Sequence, residues 1–288
     1  MSWPNKMGRI KIHFAEAAGF CMGVRRAIET AEAEAAGSDA VFTYGELIHN
    51  QAALDALKTK GVGVVHDPAE AAGTIVIRAH GITTAERDAL CRQAGRVVDA
   101  TCTMVQHIKD EIDAAHAKGA LVLVCGEPEH PEAIGLKDGR EDVVVIREPL
   151  ELRDPELKKR VERAEAVTLV AQSTQLIETF DAVALALAEL RPDAAVHNTI
   201  CGPTRKRQEA LLTLAQTLPL IVVVGDAHSA NTRHLVELAR RHTRAERVSD
   251  ASELDPEWFT GISEVGVSAG ASTPDETIQK VVEGIEGL

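Results

Sequence analysis

The sequence repeats one pattern three times, and this repetition restricts the folds that the chain can adopt. In each copy a cysteine begins a helical pattern, and 24 residues later a glycine ends an apolar, strand-like run. The pairs are Cys21 with Gly45, Cys102 with Gly126, and Cys201 with Gly225. A fixed internal period indicates that similar structural units recur along the chain.

A second strand end also recurs, in TIVIRAHG, VTLVAQST and VGVSAGAS, which carry His80, Ser173 and Ser272 respectively. Each of the two serines follows the cysteine of its copy by 71 residues, whereas His80 follows its cysteine by 59. The first copy is therefore shorter. We predict three similar lobes, at residues 10–100, 101–197 and 198–288, the last of which ends in a helix.

Strand-like runs alternate with helical patterns throughout the chain, which is typical of parallel βαβ units. The sequence thus predicts an α/β protein in which each lobe has a small, mostly parallel sheet with flanking helices. A charged segment at 147–165 is expected to be a helix-rich connection. The predicted strands are 10–14, 41–44, 62–65, 74–78, 121–125, 142–146, 167–171, 220–224, 246–248 and 264–268.

Composition excludes some classes of function. The net charge of −13 disfavours nucleic acid as a partner, because such binding depends on basic patches. No apolar run approaches the ~18 residues of a membrane-spanning helix. The N-terminal MSWPNKMGRIKI lacks the apolar core of a signal peptide, so we expect a cytoplasmic protein without a membrane partner.

The five cysteines include no Cys-x-x-Cys pair, and we do not expect a disulfide framework. A cysteine at a strand-to-helix junction favours the thiolate, because the helix dipole stabilises negative charge there. We expect this for Cys21, Cys102 and Cys201, and we interpret Cys91 and Cys125 as buried small hydrophobes. Three thiolates brought together by a threefold repeat suit an iron–sulfur cluster better than zinc, whose structural sites usually need a fourth protein ligand.

Polar side chains follow the strand ends of all three copies. Together with nearby helix N-termini they could form a cradle for phosphate oxygens. Two arginines, Arg78 and Arg233, lie within a few residues of these polar positions, and we expect both to be solvated. Motifs typical of nucleotide binding are absent. The polar residues are His49, His80, His130, Ser229, Asn231 and Ser272.

Glu132 directly follows His130 and Pro131 in the central copy. The other two copies have Gln51 and Asn231 near this place, so only the central copy offers a carboxyl group there. The position of Glu132 favours either of two roles. It could be a proton donor fixed beside a histidine, or a glutamate at a helix N-terminus that the helix dipole stabilises. From the 71-residue spacing, we expect the Ser173 hydroxyl to face the same site, where it would bind the substrate or relay a proton from Glu132.

The motifs GFCMGVRRAI, GELIHNQ, RAHG, DATCTMVQ, GEPEHPE, ICGPTRKRQEA and VGVSAGASTPD, in this order, resemble the 4-hydroxy-3-methylbut-2-enyl diphosphate reductase (LytB) family over nearly the whole chain. The resemblance implies a three-lobed α/β fold around a central [4Fe–4S] cluster, with the substrate hydroxyl on the open iron. It implies Glu132 as proton donor, and isopentenyl and dimethylallyl diphosphate as products at the end of the non-mevalonate isoprenoid pathway. The implied cluster ligands are Cys21, Cys102 and Cys201, and the implied diphosphate ligands are His49, His80, His130, Ser229, Asn231 and Ser272.

Several positions depart from the family pattern. Thr103 stands where the family often has proline, Ser173 where it has threonine, and Ala230 where it commonly has serine. Gly202 and Pro203 after the third cysteine are also less usual. We expect these departures to affect the affinity for the substrate more than the type of reaction.

No flavin or nicotinamide fingerprint is visible, so electrons are expected from a separate carrier such as ferredoxin or flavodoxin. Two other classes of function remain open. One is a redox-neutral hydro-lyase that uses an open iron only as a Lewis acid. The other is a non-enzymatic cluster-binding sensor, which has no need of Glu132 or the phosphate cradle.

Overall fold

A computed structural model describes residues 10–37 and 40–288. The N-terminal segment on which the signal-peptide prediction depends lies mostly outside these residues. Within them the strands are β1 (Lys11–Phe14), β2 (Val41–Tyr44), β3 (Val62–Val65), β4 (Thr74–Ile77), β5 (Arg96–Asp99), β6 (Leu121–Cys125), β7 (Val143–Ile146), β8 (Val167–Ala171), β9 (Ala195–Val196), β10 (Leu220–Val224), β11 (Arg244–Val248) and β12 (Glu264–Ala269). The α-helices are α1 (Met22–Gly37), α2 (Gln51–Thr59), α3 (Thr84–Gln93), α4 (Thr103–His116), α5 (Pro131–Lys137), α6 (Pro155–Arg163), α7 (Ile177–Leu190), α8 (Gly202–Ala215), α9 (Ala230–Arg240) and α10 (Asp275–Glu286).

The strands form three four-stranded sheets, and every strand pair in them is parallel. The first sheet has the order β3-β2-β4-β5, the second β7-β6-β8-β9, and the third β11-β10-β12-β1. The same order therefore occurs three times, which confirms the predicted α/β class with small parallel sheets. Flanking helices cover the sheets, as parallel sheets require.

One predicted strand belongs to a different sheet from the one expected. We assigned residues 10–14 to the first lobe, but β1 pairs with β12, with Lys11 opposite Glu264 and Phe14 opposite Val267. The third sheet needs β1 to occupy the edge that β5 and β9 occupy in the other two. Local sequence cannot reveal this, because the partner strand lies about 250 residues away.

The chain divides into two compact units. One contains the described residues up to Cys21 together with His49–Ala53 and Gly202–Leu288, and it holds the third sheet. The other contains the described residues of Met22–Ile48 together with Leu54–Cys201, and it holds the first and second sheets. The predicted lobe boundaries stay a prediction.

The central strands β6, β8 and β10 are almost entirely apolar because both faces of each sheet are covered. Every residue of β6, β8 and β10 is buried. Burying each such Val, Leu or Ile side chain contributes roughly 1.5–3 kcal/mol. The charged segment at 147–165 forms a short 3₁₀ turn and α6, which confirms the expected helical connection.

The repeated glycines end β2, β6 and β10. The N–H of each donates a hydrogen bond of 2.8 Å to the last carbonyl of the neighbouring strand, at Val65, Ile146 and Val248. Gly45 has a φ of +69°, and a Cβ there would lie 2.7 Å from Nη1 of Arg78. A Cβ on Gly126 would lie 2.7 Å from Oε1 of Gln172. The positive φ favours glycine at position 45, and the close approach of the Gln172 side chain favours it at position 126.

Among the described residues, no helix combines the length and the apolar character that crossing a bilayer would require.

Candidate active site

Each repeat cysteine lies immediately before a helix. α1, α4 and α8 begin at the residue after Cys21, Cys102 and Cys201, respectively. The three cysteine N–H groups donate to equivalent carbonyls, each two residues beyond a central strand. The acceptors are Ala271 for Cys21 (3.0 Å), Ala79 for Cys102 (2.9 Å) and Ser173 for Cys201 (3.0 Å). The predicted strand-to-helix junctions are thus confirmed.

The strand before each cysteine belongs to one sheet, and the helix after it packs on another. β5 pairs in the first sheet, for example, whereas α4 packs on β6 and β8 of the second. Each cysteine therefore marks a crossover of the chain between sheets. Such a helix start places backbone N–H groups and the positive end of the helix dipole beside each cysteine.

The five cysteines differ in their surroundings, and none of them forms a disulfide. The three repeat cysteines are partly buried. Cys125 is fully buried, and burial raises the pKa of its thiol to about 12, which confirms its interpretation as a small hydrophobe. Cys91 lies on α3 and is exposed, so the expectation that it is buried was wrong. Its position in a helical pattern did not reveal which face of the helix it occupies.

Partly buried thiols at helix starts are suitable ligands for an iron–sulfur cluster. The donor chemistry of Cys21, Cys102 and Cys201 therefore fits the cluster that the resemblance implies. Cys125 does not fit, because its thiol lies within the core of the second sheet.

Glu132 is the second residue of α5 and only 2% exposed. Its carboxylate accepts two hydrogen bonds from Ser173, one from the backbone N–H at 2.6 Å and one from the hydroxyl at 2.7 Å. The expectation that the Ser173 hydroxyl faces the same site as Glu132 is thus consistent with the geometry. These bonds join the Glu132 carboxylate to a residue just beyond the end of β8. The dipole of α5 alone therefore does not account for the position of this side chain.

Burial raises the pKa of Glu132 to about 7, although the hydrogen bonds from Ser173 act in the opposite direction. An ordinary glutamate is almost fully ionised at neutral pH, whereas this one would be about half protonated. A carboxyl group with such a pKa can give up a proton and take one back near neutral pH, as a general acid must.

His130 is the N-cap residue of α5 and holds the Glu132 backbone in place. Its Nδ1 accepts a hydrogen bond of 3.1 Å from the Glu132 N–H. An accepting Nδ1 requires the tautomer in which Nε2 carries the proton, so Nε2 is a donor. The ring of His80 meets that of His130 edge to face, with centroids 5.3 Å apart and an interplanar angle of 87°. Two predicted binding residues from different sheets of the same unit are therefore adjacent.

Gln172 is a site residue that the sequence analysis missed. It is fully buried, and its Oε1 accepts a hydrogen bond of 2.9 Å from the Glu127 N–H. Its Nε2 donates to the Thr174 hydroxyl at 3.1 Å. Gln172 thus holds the loop that leads from Gly126 to His130. The sequence contained a signal for this role, because Gln172 directly follows an apolar strand and precedes Ser173. A polar side chain at a buried strand end needs hydrogen-bond partners.

The unit with the third sheet contains four other predicted residues. Ser229 is the N-cap residue of α9, and its hydroxyl accepts the Thr232 N–H at 3.4 Å. Asn231 is 3% exposed, and its Nδ2 finds no acceptor among the described residues. The Ser272 hydroxyl donates to the His49 carbonyl at 2.9 Å. A buried amide N–H without a protein acceptor fits a site that receives an anionic ligand.

The two nearby arginines differ from each other. Arg233 is exposed, as expected, and donates to the Ala227 and His228 carbonyls at 3.2 and 2.9 Å. Arg78 is partly buried, and its Nε donates to the Gly81 carbonyl at 3.2 Å, so the expectation that it is solvated was wrong. It is packed against Gly45 because that glycine has no side chain.

A buried carboxyl group with a raised pKa lies beside a histidine pair at the ends of parallel strands, and such an arrangement is typical of the active site of an α/β enzyme. The chain belongs to the LytB protein family, which it matches over residues 12–286.

Two curated relatives cover nearly the same length. The 4-hydroxy-3-methylbut-2-enyl diphosphate reductase of Trichlorobacter lovleyi is 36% identical over 281 residues, which is 96% of this chain and 98% of that protein. The protein of the same name from Aquifex aeolicus is 37% identical over 286 residues, with 97% of each chain covered.

Two solved structures share the fold. A 1-hydroxy-2-methyl-but-2-enyl-4-diphosphate reductase from Plasmodium falciparum matches with a TM-score of 0.86 at 22% identity, over 96% of this chain and 88% of that one. A 4-hydroxy-3-methyl-but-2-enyl diphosphate reductase, described as the terminal enzyme of the non-mevalonate pathway, matches with a TM-score of 0.67 at 34% identity. That match covers 97% of this chain and all of the other.

Proposed function

We propose that this protein is a 4-hydroxy-3-methylbut-2-enyl diphosphate reductase. The reaction removes the allylic hydroxyl group as water and consumes two electrons and two protons for each isopentenyl or dimethylallyl diphosphate formed. This would be the last step of the non-mevalonate isoprenoid pathway. The observation that carries the proposal is the buried Glu132 carboxyl bonded to Ser173, in a chain that matches the family over almost its full length.

Cys21, Cys102 and Cys201 would hold a [4Fe–4S] cluster. When bound, the cluster supplies electrons one at a time and an iron without a protein ligand that acts as a Lewis acid. The three thiols suit this role because each lies at a helix start and is neither fully exposed nor buried in a core.

Glu132 would act as the general acid. Hydroxide is a poor leaving group, and protonation as it departs lowers the barrier. Because burial raises the pKa of Glu132 to about 7, a large fraction of the enzyme holds this proton at neutral pH. Ser173 fixes the direction of the carboxyl through its N–H and its hydroxyl, which is the pre-organisation that proton transfer requires.

The diphosphate would be bound by His49, His80, His130, Ser229, Asn231 and Ser272. Nδ2 of Asn231 supports this assignment, because it is a buried donor without a protein acceptor among the described residues. Ala230 begins α9 beside it and offers no hydroxyl, so this chain has one fewer hydrogen-bond donor than the family pattern. Electrons would come from a separate carrier such as ferredoxin or flavodoxin, and the protein would act in the cytoplasm.

The proposal is tested on protein that is purified and reconstituted without oxygen. Iron and sulfide analysis measures the cluster content, and turnover of the allylic diphosphate is followed with an artificial one-electron donor. We expect a [4Fe–4S] spectrum and turnover that depends strictly on the donor. Turnover without a reductant would indicate a redox-neutral hydro-lyase. A bound cluster without any turnover would indicate a sensor.

A further inference from the structure

The helix that carries Glu132 has an unusual residue at its other end. α5 has seven residues, and Asp138 follows it with φ 50° and ψ 37°. Among the described residues, Asp138 is the only one other than glycine with a positive φ. Glycine adopts this conformation at helix C-termini without strain, whereas a side chain adopts it at a cost. The carboxylate of Asp138 must therefore contribute something that glycine would not.

That contribution is visible in its contacts. Oδ1 of Asp138 accepts the Thr84 N–H at 2.6 Å, and Oδ2 accepts the Thr84 hydroxyl at 2.5 Å. Thr84 is the first residue of the ten-residue helix α3, where a negative charge also interacts favourably with the helix dipole. Nζ of Lys109, on α4, lies 3.6 Å from Oδ2. Asp138 thus joins the end of α5 to two other helices of the same unit.

The carboxylate is charged at neutral pH. Burial opposes the charge, but the hydrogen bonds from Thr84 and the positive charges of Lys109 and Arg140 outweigh this effect and lower the pKa of Asp138. The side chain of Asp138 is only 12% exposed, so these contacts are partly shielded from water.

A helix of two turns has little stability of its own, so the contacts at its two ends set its orientation. Glu132 and Asp138 are six residues apart, or about 9 Å along the helix axis. Between them Gly135 packs closely on the Ile82 backbone, since a Cβ there would lie 3.5 Å from it. A shift at the Asp138 end would therefore move the Glu132 carboxyl relative to Ser173.

We propose that Asp138 is a positioning residue for Glu132: by anchoring α5 to Thr84 and Lys109, it holds the carboxyl in the geometry that it needs toward Ser173. This inference rests on the proposed role of Glu132 as the acid.

The test compares three substitutions in the reconstituted enzyme. Asp138→Gly relieves the backbone strain and removes the anchor, so we expect stability to denaturant close to that of the parent but a kcat about 10- to 100-fold lower, with KM unchanged. Asp138→Asn keeps an acceptor for the Thr84 N–H and should recover most of the activity. Thr84→Val removes one of the two hydrogen bonds and should give an intermediate kcat. Asp193→Ala is the matched control, because Asp193 is an exposed aspartate of the same unit that forms an ion pair with Arg191 (2.9 Å).

A second measurement does not depend on turnover. Infrared difference spectra of the oxidised enzyme against pH can follow the carboxyl band that Glu132→Gln abolishes. We expect its titration midpoint to move in Asp138→Gly and to stay in Asp138→Asn and Asp193→Ala. An Asp138→Gly enzyme with the parent kcat and an unmoved band would overturn the inference and leave Asp138 as a simple helix cap. If Glu132→Gln itself remains fully active, the assignment of the acid is wrong, and the infrared band alone then decides whether Asp138 positions Glu132.

Discussion

Glu132 and Ser173 are joined by two hydrogen bonds, of 2.6 and 2.7 Å, although 41 residues separate them in the sequence. One bond comes from a backbone N–H and the other from a hydroxyl. The carboxyl is therefore held by a backbone donor that Ser173→Ala keeps and a hydroxyl donor that Ser173→Ala removes, which makes the pair suitable for mutational tests.

The first prediction concerns the acid. Glu132→Gln keeps the shape of the side chain but cannot donate a carboxylic proton, so we expect turnover at least ~100-fold lower. The cluster spectrum and substrate binding should be unchanged. Anaerobic steady-state kinetics with an artificial donor measures this, with Glu129→Gln as the matched control, since Glu129 is on the same loop but exposed. A Glu132→Gln enzyme with nearly the parent rate would show that Glu132 serves only the helix start.

The second prediction concerns the hydroxyl of Ser173. Ser173→Ala removes one of the two bonds to the carboxyl, and a hydrogen bond to a charged group is worth about 1.5–3 kcal/mol, or roughly 10- to 100-fold in rate. We expect kcat to fall by this order and its pH profile to move upward, because the lost bond lowers the pKa of Glu132 in the parent. Ser173→Thr should retain activity, since it keeps the hydroxyl. Full activity of the alanine variant would leave the hydroxyl with only a structural role.

The third prediction concerns stability against pH. The pKa of Glu132 is raised from 4.5 to about 7 in the folded protein by burial. Between these values the folded state holds a proton that the unfolded state has lost, so the free energy of unfolding decreases as pH rises. The loss is of the order of 3 kcal/mol and is absent below about pH 4.5.

Glu132→Gln removes this titration. The variant should gain stability relative to the parent on going from about pH 5 to pH 8, as measured by denaturant unfolding of the oxidised holoprotein. Parallel stability curves for the two proteins would mean that the carboxyl is not buried in its neutral form.

The fourth prediction concerns the cluster ligands. Serine at Cys21, Cys102 or Cys201 should abolish the absorbance of the reconstituted cluster, because each thiol occupies an equivalent helix start. Cys91→Ser and Cys125→Ala serve as controls, and alanine avoids burying a hydroxyl at Cys125. Loss of the cluster in either folded control would show that the ligands are assigned wrongly.

The fifth prediction concerns the diphosphate. Asn231→Ala removes a buried N–H donor that has no protein acceptor among the described residues, so the fold should tolerate it. Substrate affinity should fall about 10- to 100-fold, the value of one hydrogen bond to a charged group. Binding to the oxidised enzyme measures the loss, with Ser252→Ala, an exposed serine of the same unit, as control. Equal substrate affinities in the two variants would show that Asn231 does not bind the diphosphate.

Much of the fold could be predicted from sequence because it depends on local pattern. Apolar runs that end in glycine predicted central strands, and the helical patterns that begin at Cys21, Cys102 and Cys201 predicted the three helix starts. The edge strands β5 and β9 were not predicted, because their sequences are short and only partly apolar. The candidate site residues were proposed from strand ends, since the carboxyl ends of parallel strands lie at one edge of a sheet.

By itself, the sequence determined the α/β class, the family and the chemical types of the candidate residues, because periodicity, spacing and motif are properties of short stretches. Only the tertiary structure decided that β1 completes the third sheet, that Arg78 is packed against Gly45, and that Cys91 is exposed. It also decided the pKa of Glu132, which depends on burial, and the anchor between Asp138 and Thr84. Burial and long-range hydrogen bonds arise from residues far apart in the chain, and no local pattern records them.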